Sequence, residues 1–327
     1  MFFALIKFIK NANIFYFSMK RKRRIKHIIQ SQQFSRDFLE SLFKEADKMR
    51  KIARRGRSNL LKNKVMATTF YEPSTRTRFS FESAMIKLGG HVITTENARE
   101  FSSVAKGETL NDTIKVMDKY ADVIVLRHFQ EGAASAAAAV SNVPIINAGD
   151  GPGHHPTQSL LDIYTIKREL GKIDRITIAM VGDLKHGRTV RSLAYLLTKF
   201  HNIRIYFVAP KVCKMKKDIL DYLNKKGVHY EETEDLNKVL PLVDCVYMTR
   251  VQKERFKSKD DYNKAKGFYR LDKNNIGLLK SNSIIMHPLP RIDEISPDID
   301  QDPRSAYFRQ AENGLYIRMA LLKKVLT

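Results

Sequence analysis

The feature that most constrains the fold of this chain is the alternation of short β-rich runs with helical stretches. Such runs occupy residues 64–70, 122–126, 176–181, 204–208, 244–249 and 283–286, and helical patterns or long loops separate them. Alternation of this kind is typical of parallel sheets with helices on both faces. Since 327 residues suffice for roughly two domains of about 150 residues, the sequence predicts an α/β protein of two domains, each a parallel β-sheet flanked by helices.

Two helical patterns divide the chain. Apolar residues recur at the spacing i, i+3, i+4, i+7 from Phe81 to Leu88 and are followed by two glycines, so a helix is predicted to begin near Ser74. A second helical pattern follows residue 155, and we place the domain boundary at its start. The resulting division is a basic extension at 1–26, a first domain at 27–155 completed by a C-terminal helix at about 306–327, and a second domain at 156–305.

The net charge of +23 raises the possibility of nucleic-acid binding. Eight basic residues and no acidic ones fall in residues 1–26, and the segment RKRRIK within them is a compact charge run without the interleaved aromatic residues of nucleic-acid modules. We therefore expect no nucleic-acid partner and keep such binding as the weaker alternative.

Lys7 and Lys10 interrupt the apolar start, so a membrane span is not expected. A cytoplasmic location is expected. The alternative is a mitochondrion or plastid, if residues 1–26 are a targeting remnant. The same stretch is instead an upstream extension if Met19 is the true start.

An anion site is predicted where the first buried strand meets the following helix. Hydroxyl and guanidinium groups are concentrated in five consecutive residues, Ser74, Thr75, Arg76, Thr77 and Arg78. A helix N-terminus offers unpaired backbone N–H groups and a positive dipole end to anions. The alternative is an ordinary helix cap with two solvated arginines. The chain lacks the glycine spacing of nucleotide-binding loops, which favours a small phosphate compound over a nucleotide.

Further polar residues follow predicted strands or begin predicted helices. Arg127 comes directly after one strand, and His155 and Gln158 stand where the second helix begins. Ligands bind at the carboxyl ends of strands in open α/β sheets. A lone histidine is more often structural than catalytic, and the histidines lack the spacing typical of metal ligands, so neither a metal nor a cofactor is expected.

A dicarboxylate site is predicted in the second half of the chain. Arg188 lies in the loop after one strand, and Arg250 and Gln252 directly follow another. The planar guanidinium group can bond both oxygens of a carboxylate at once. After a third strand, the segment from His287 to Pro290 holds two prolines, which lack backbone donors, so this turn can present carbonyl acceptors to an amine.

These motifs resemble those of the aspartate and ornithine carbamoyltransferases. The resemblance covers about residues 27–327 and is carried by FYEPSTRTRFSFE, KGETLNDT, VLRH, NAGDGPGHHPTQ, VGDLKHGRTVRSL, TRVQKERF, MHPLPRIDEI and NGLYIRMALL. STRTR and HPTQ mark the family as a whole. TRVQKERF together with HPLP is more specific, because relatives that use ornithine are expected to have Cys in the place of Pro288.

The resemblance implies transfer of the carbamoyl group of carbamoyl phosphate to the amine of L-aspartate, in de novo pyrimidine (UMP) biosynthesis and without a cofactor. It makes 27–155 the carbamoyl phosphate-binding domain and 156–305 the aspartate-binding domain, with the active site in the cleft between them. The residues implied for carbamoyl phosphate are Ser74, Thr75, Arg76, Thr77, Arg127, His155, Gln158, Leu289 and Pro290. Those implied for aspartate are Lys106, Arg188, Arg250, Gln252 and Leu289, and the implied catalytic residues are Arg76, Thr77, Arg127 and His155.

The resemblance also implies a homotrimer with shared active sites. Ser102 and Lys106 match residues that the family supplies from a neighbouring subunit. The sequence leaves open whether regulatory chains exist, and a relative that carbamoylates another amine remains the alternative activity. The basic extension at 1–26 and a Lys-rich stretch at 253–266 depart from the family pattern, and they bear on location and surface contacts.

Overall fold

The strands of this chain form two separate parallel sheets. A computed structural model describes residues 26–253, 256 and 258–327, so the predicted basic extension lies outside the described residues except for Lys26. The first sheet contains β1 (Val65–Phe70), β2 (His91–Glu96), β3 (Val123–His128) and β4 (Ile145–Asp150), in the spatial order β2-β1-β3-β4. The second contains β5 (Thr177–Val181), β6 (Arg204–Val208), β7 (His229–Thr233), β8 (Cys245–Met248) and β9 (Ile284–Met286), in the order β7-β6-β5-β8-β9. The predicted fold class is confirmed.

Helices cover the two sheets. Those of the first half are α1 (Arg36–Arg55), α2 (Thr75–Lys87), α3 (Ala98–Phe101), α4 (Leu110–Met117) and α5 (Ala133–Val140), with 3-10 turns at Ser31–Gln33 and Ser103–Lys106. Those of the second half are α7 (Arg188–Leu197), α8 (Lys217–Lys225), α9 (Leu236–Val239) and α10 (Lys259–Ala265), with 3-10 turns at Lys211–Cys213, Leu240–Leu242, Ile276–Leu278 and Pro297–Ile299. Across the described part of the chain, no helix has both the length and the apolar character needed to cross a bilayer.

Two long helices join the halves. The helix α6 (Pro156–Leu170) contacts β4 of the first sheet and β9 of the second, and it packs against α7 and α11 (Tyr307–Leu326). The helix α11 in turn packs against α1 and α2. The side chains of α6 are buried from Pro156 to Ile166, on every face of the helix, because protein surrounds this segment. The domain bounds 27–155 and 156–305 stay a prediction.

Three strands are absent from the sequence-based prediction, and each has a physical reason. The strands β2 and β7 lie at sheet edges and their side chains are mostly exposed or half-buried, so they lack an apolar run. The strand β4 is fully buried, but its last four residues are Asn-Ala-Gly-Asp, a composition typical of turns. Asn147 is satisfied there because its Nδ2 donates to the carbonyl of Ile29 at 2.9 Å.

The parallel arrangement determines where the site forms. All strand pairs within the two sheets are parallel, so the carboxyl ends of all strands in a sheet meet at one edge. The segments after β1, β3, β5, β8 and β9 therefore converge on the same cleft.

Candidate active site

One cavity of about 960 Å³ brings together the residues that the sequence singled out in both halves. The predicted residues that line it are Ser74, Thr75, Arg76, Thr77, Arg127, His155, Gln158, Arg188, Arg250, Gln252, Leu289 and Pro290. Ser102 and Lys106 do not line it. They lie where α3 ends and in the 3-10 turn that follows, and Lys106 is exposed.

The N-terminus of α2 forms one wall of the cavity. Ser74 is its N-cap residue, yet its side chain makes no capping hydrogen bond, and its Oγ accepts from Arg127 Nη1 at 3.4 Å. The hydroxyl group is thus directed at the cavity, unlike in an ordinary cap. Arg78 turns away to Glu96, with 2.8 Å between Nη2 and Oε2, so α2 contributes one cavity guanidinium group, that of Arg76.

Positive charges crowd the cleft. Burial, together with the charge of Arg250, lowers the pKa of Arg76. Glu72 lines the same cavity, and its Oε2 lies 3.5 Å from Arg127 Nη2 and 4.0 Å from Arg188 Nη1. Sequence analysis missed this carboxylate, although it stands two residues before the predicted anion site. Glu72 connects an arginine of the first half with one of the second half.

His155 is buried at the start of α6 and is held by its backbone. Its N–H donates to Ser192 Oγ at 3.1 Å, and the Thr157 hydroxyl lies 3.5 Å from its Nδ1. Burial lowers the pKa of His155 well below its ordinary value of 6.5, and the charges of Arg188 and Arg127 lower it further. The imidazole is therefore neutral at neutral pH, and it can donate one hydrogen bond to a substrate carbonyl without adding charge.

Arg188 crosses from the second half to the first. Its Nη1 donates to the carbonyl of Gly151 at 2.8 Å. Gly149 has φ +120°, and a Cβ at that position would lie 3.0 Å from the Arg188 guanidinium carbon. Any other residue at 149 would be strained in its backbone and would crowd this guanidinium group.

The turn after β9 closes the far end of the cavity. Leu289 has φ +57°, and the Leu289-Pro290 peptide bond is cis. The Leu289 N–H donates to His287 Nδ1 at 2.7 Å, so the ring proton lies on Nε2, which donates to Glu294 Oε1 at 2.7 Å. The buried imidazole thus fixes the turn whose carbonyl groups the sequence analysis assigned to amine binding.

The helix α11 adds cavity residues that sequence analysis missed, among them Gln310 and Arg318. The sequence analysis assigned this C-terminal helix to the completion of the first domain and placed no site residue on it. Arg318 is 3% exposed, and a charged residue inside the apolar stretch LYIRMALL was the available signal. Among the residues that the structure describes, no group of His, Cys, Asp and Glu is arranged to hold a metal ion.

Two parallel sheets with a cationic cleft at their strand ends define a two-domain α/β protein that binds small anions. Family models agree with this class: "Aspartate/ornithine carbamoyltransferase, carbamoyl-P binding domain" matches residues 26–168, and the "Asp/Orn binding domain" of the same family matches residues 174–325. The chain belongs to the aspartate/ornithine carbamoyltransferase family, and the resemblance stated from its motifs is confirmed.

Three of the relatives are similar over nearly the whole chain. The chloroplastic aspartate carbamoyltransferase of Arabidopsis thaliana is 59% identical over 94% of this chain and 79% of the relative. The catalytic subunit of aspartate carbamoyltransferase from Methanocaldococcus jannaschii is 50% identical over 92% of this chain and 98% of its own length. The crystal structure of the Trypanosoma cruzi aspartate transcarbamoylase with N-(phosphonacetyl)-L-aspartic acid superimposes with a TM-score of 0.88, at 45% identity, over 92% and 96% of the two chains.

The neutral state of His155 predicts a pH dependence of stability. Because its pKa is lowered in the folded protein, the unfolded chain takes up a proton near pH 6.5 that the folded chain does not. Stability is therefore lost as the pH falls below that value, by up to about 1.4 kcal/mol per pH unit for one histidine. The free energy of unfolding from urea titrations between pH 7.5 and 5.5 should fall less steeply for His155→Gln than for the wild type. Parallel curves would contradict the burial of a neutral imidazole.

Proposed function

We propose that this chain transfers the carbamoyl group of carbamoyl phosphate to L-aspartate, giving N-carbamoyl-L-aspartate and phosphate in de novo pyrimidine (UMP) biosynthesis. One observation carries the proposal: a single cavity joins the anion-binding start of α2 to Arg188 and Arg250 from the other half. Solved complexes of the Trypanosoma cruzi relative contain carbamoyl phosphate with aspartate, and carbamoyl aspartate with phosphate. The identity to that enzyme, 45% and 44% in these complexes, supports the same substrates here.

Carbamoyl phosphate binds at the first half of the cleft. The phosphate accepts hydrogen bonds from the start of α2, through Ser74, Thr75, Arg76 and Thr77, and Arg127 lies within reach of Ser74. Phosphate is suited to this position because unpaired backbone N–H groups and a guanidinium group converge on it. The carbamoyl carbonyl then points to Thr77, Arg127 and His155.

Aspartate binds at the second half of the cleft. Arg188, Arg250 and Gln252 line that side and bind its two carboxylates, as paired guanidinium donors suit a diacid. The turn at Leu289 and Pro290 lies at the same cavity and presents carbonyl groups to the amine. The amine is thereby placed next to the carbamoyl carbon.

The chemistry needs donors more than a strong base. Attack of the amine forms a C–N bond and builds negative charge on the carbonyl oxygen, which Thr77, Arg127 and neutral His155 stabilise. The bond from carbon to the phosphate oxygen then breaks, and the amine proton passes to the departing phosphate. Removal of one such donor typically costs about 10² to 10³ in turnover.

A homotrimer completes the site in our proposal. Ser102 and Lys106 lie outside the cavity of their own chain, and an exposed lysine near the end of α3 is available to a second copy. Phe79, on α2 beside the cavity, is 54% exposed, and a neighbouring subunit would cover it. Regulatory chains remain possible.

For the location, we propose an organelle over the cytoplasm. The relatives from Arabidopsis thaliana and Pisum sativum are named chloroplastic, which supports the alternative raised by the basic residues at 1–26. The cytoplasmic expectation has no support in these names.

The reaction is tested with the second substrate varied. The wild-type chain should form carbamoyl aspartate from carbamoyl phosphate and L-aspartate, measured as ureido product, because Arg188 and Arg250 line the side of the cavity proposed for the diacid. L-ornithine has one carboxylate and a cationic side chain, so it should give no product. Product from ornithine and none from aspartate would refute the assignment.

Arg250→Ala should raise the KM for aspartate by about 10- to 100-fold, because a charge-assisted hydrogen bond contributes about 1.5–3 kcal/mol. The dissociation constant of carbamoyl phosphate, measured by calorimetry, should stay nearly unchanged. Arg270→Ala is the matched control, since this half-exposed arginine does not line the cavity. Unchanged aspartate kinetics in Arg250→Ala would remove Arg250 from the aspartate site.

Shared sites predict complementation between inactive variants. Lys106→Ala and Arg76→Ala chains should each be inactive alone, whereas mixed trimers assemble some sites with both side chains intact. Random exchange of a one-to-one mixture should restore roughly a quarter of the wild-type activity. Each variant mixed with itself is the control, and mass spectrometry confirms the exchange. Complete exchange without recovered activity would show that the sites are not shared.

A further inference from the structure

A buried carboxylate lies directly behind the cavity residue Gln158. Asp162 stands one helical turn further along α6 and is fully buried. Its Oδ1 accepts from Gln158 Nε2 at 2.9 Å and from Gln310 Nε2 at 2.7 Å, and its Oδ2 accepts from the Tyr247 hydroxyl at 2.8 Å. Asp162 is not among the residues lining the cavity, so it acts through its neighbours.

The carboxylate determines which end of the Gln158 amide faces the cavity. Oδ1 of Asp162 accepts from the NH₂ groups of both glutamines, and an acceptor binds the NH₂ end of an amide and excludes the carbonyl end. Gln158 Oε1 is then left as the acceptor of a residue that lines the cavity. Without Asp162, the two ends of the amide could exchange places by a simple rotation.

The same carboxylate orients the turn at the other end of the cavity. Because Gln310 gives its NH₂ group to Asp162, its Oε1 is free to accept, and the backbone N–H of His287 donates to it at 2.8 Å. His287 Nδ1 in turn accepts from the N–H of Leu289. One buried group therefore connects the Gln158 amide with the Leu289 turn.

A buried cation supports the ionised form of this carboxylate. Arg318 is 3% exposed, its guanidinium carbon lies 5.1 Å from the centre of the Phe81 ring, and its charge acts on Asp162. Burial is the largest effect and leaves the pKa of Asp162 raised, at about 7, although the three hydrogen-bond donors and Arg318 lower it. Removal of Asp162 would leave Arg318 as a buried charge without this partner.

We propose that Asp162 is a positioning residue that holds the Gln158 carbonyl oxygen toward the amino group of the donor, and so makes the site select carbamoyl phosphate over acyl phosphates. This inference rests on the proposed function. Acetyl phosphate has a methyl group where carbamoyl phosphate has an amino group, and the two groups are close in size. Shape alone therefore discriminates poorly, whereas a buried acceptor left unpaired against a methyl group discriminates strongly.

The test compares the two donors in one assay. Aspartate-dependent phosphate release is measured with carbamoyl phosphate and with acetyl phosphate. With acetyl phosphate, the aspartate amine attacks the acetyl carbon, and a C–N bond replaces the bond from that carbon to the phosphate oxygen. The departing phosphate takes up the amine proton. The readout is the ratio of the two kcat/KM values. The wild type should favour carbamoyl phosphate by at least about 100-fold.

Variants at 162 separate the acceptor from the rest of the side chain. Asp162→Leu has a similar size and no acceptor, so the ratio should fall by at least about tenfold. Asp162→Asn keeps one carbonyl oxygen that can accept from both glutamines, so the ratio should stay within about threefold of the wild type. Tyr247→Phe is the matched control: it removes a different partner of the same carboxylate, and it should also keep the ratio.

Three results would overturn the inference. They are a wild type whose kcat/KM values for the two donors differ by less than about tenfold, an Asp162→Leu variant that keeps the ratio, and an Asp162→Asn variant that loses it.

A general loss of stability would slow the reactions of both donors alike and leave the ratio unchanged. If Asp162→Leu does not fold, Asp162→Ala is judged by the same ratio. A wild type that forms no carbamoyl aspartate refutes the proposed function itself, whereas carbamoyl aspartate formation with an unchanged variant ratio refutes only the role of Asp162.

Discussion

The arrangement of this protein depends on positive charge gathered in one cleft. Five arginines line the cavity, and Glu72 is the acidic side chain among its described lining residues. Burial lowers the pKa of Arg76 and of His155, and the charges of neighbouring arginines lower both pKa values further. A cleft with this excess of positive charge favours anionic substrates over neutral compounds.

A buried hydrogen-bond network around Asp162 lies behind the cleft. The walls of the cleft come from two separate sheets, and α6 and α11 hold these sheets together. Asp162, on α6, reaches Gln310 on α11 and Tyr247 on the second sheet through direct hydrogen bonds. Such a network is costly unless all of its members are satisfied, and it fixes a single arrangement when they are. The relative position of substrate-binding groups from both halves thereby depends on Asp162, a carboxylate that does not line the cavity.

Local sequence signals predicted much of the fold and of the site. Central strands are buried on both faces, so they appear as continuous apolar runs, and all six predicted runs became strands. The strands β2 and β7 escaped prediction because their side chains are mostly exposed or half-buried and form no apolar run. Arg78 belonged to the predicted anion motif, yet it pairs with Glu96 outside the cavity. Spacing along a helix start cannot distinguish which arginine finds a carboxylate on the next strand.

The sequence by itself determined the chemistry available: hydroxyl and guanidinium groups at a helix start, arginines after parallel strands and a proline-rich turn. These features can be recognised from short segments of sequence, because strand ends and helix starts follow from the local hydrophobic pattern and from backbone geometry. Only the tertiary structure decided that Glu72 bridges two arginines, that Asp162 orients Gln158 and that Arg318 is buried beside them. The reason is physical: hydrogen bonds and charge interactions depend on distances of a few ångströms between segments far apart in the chain, and burial decides how strong they are.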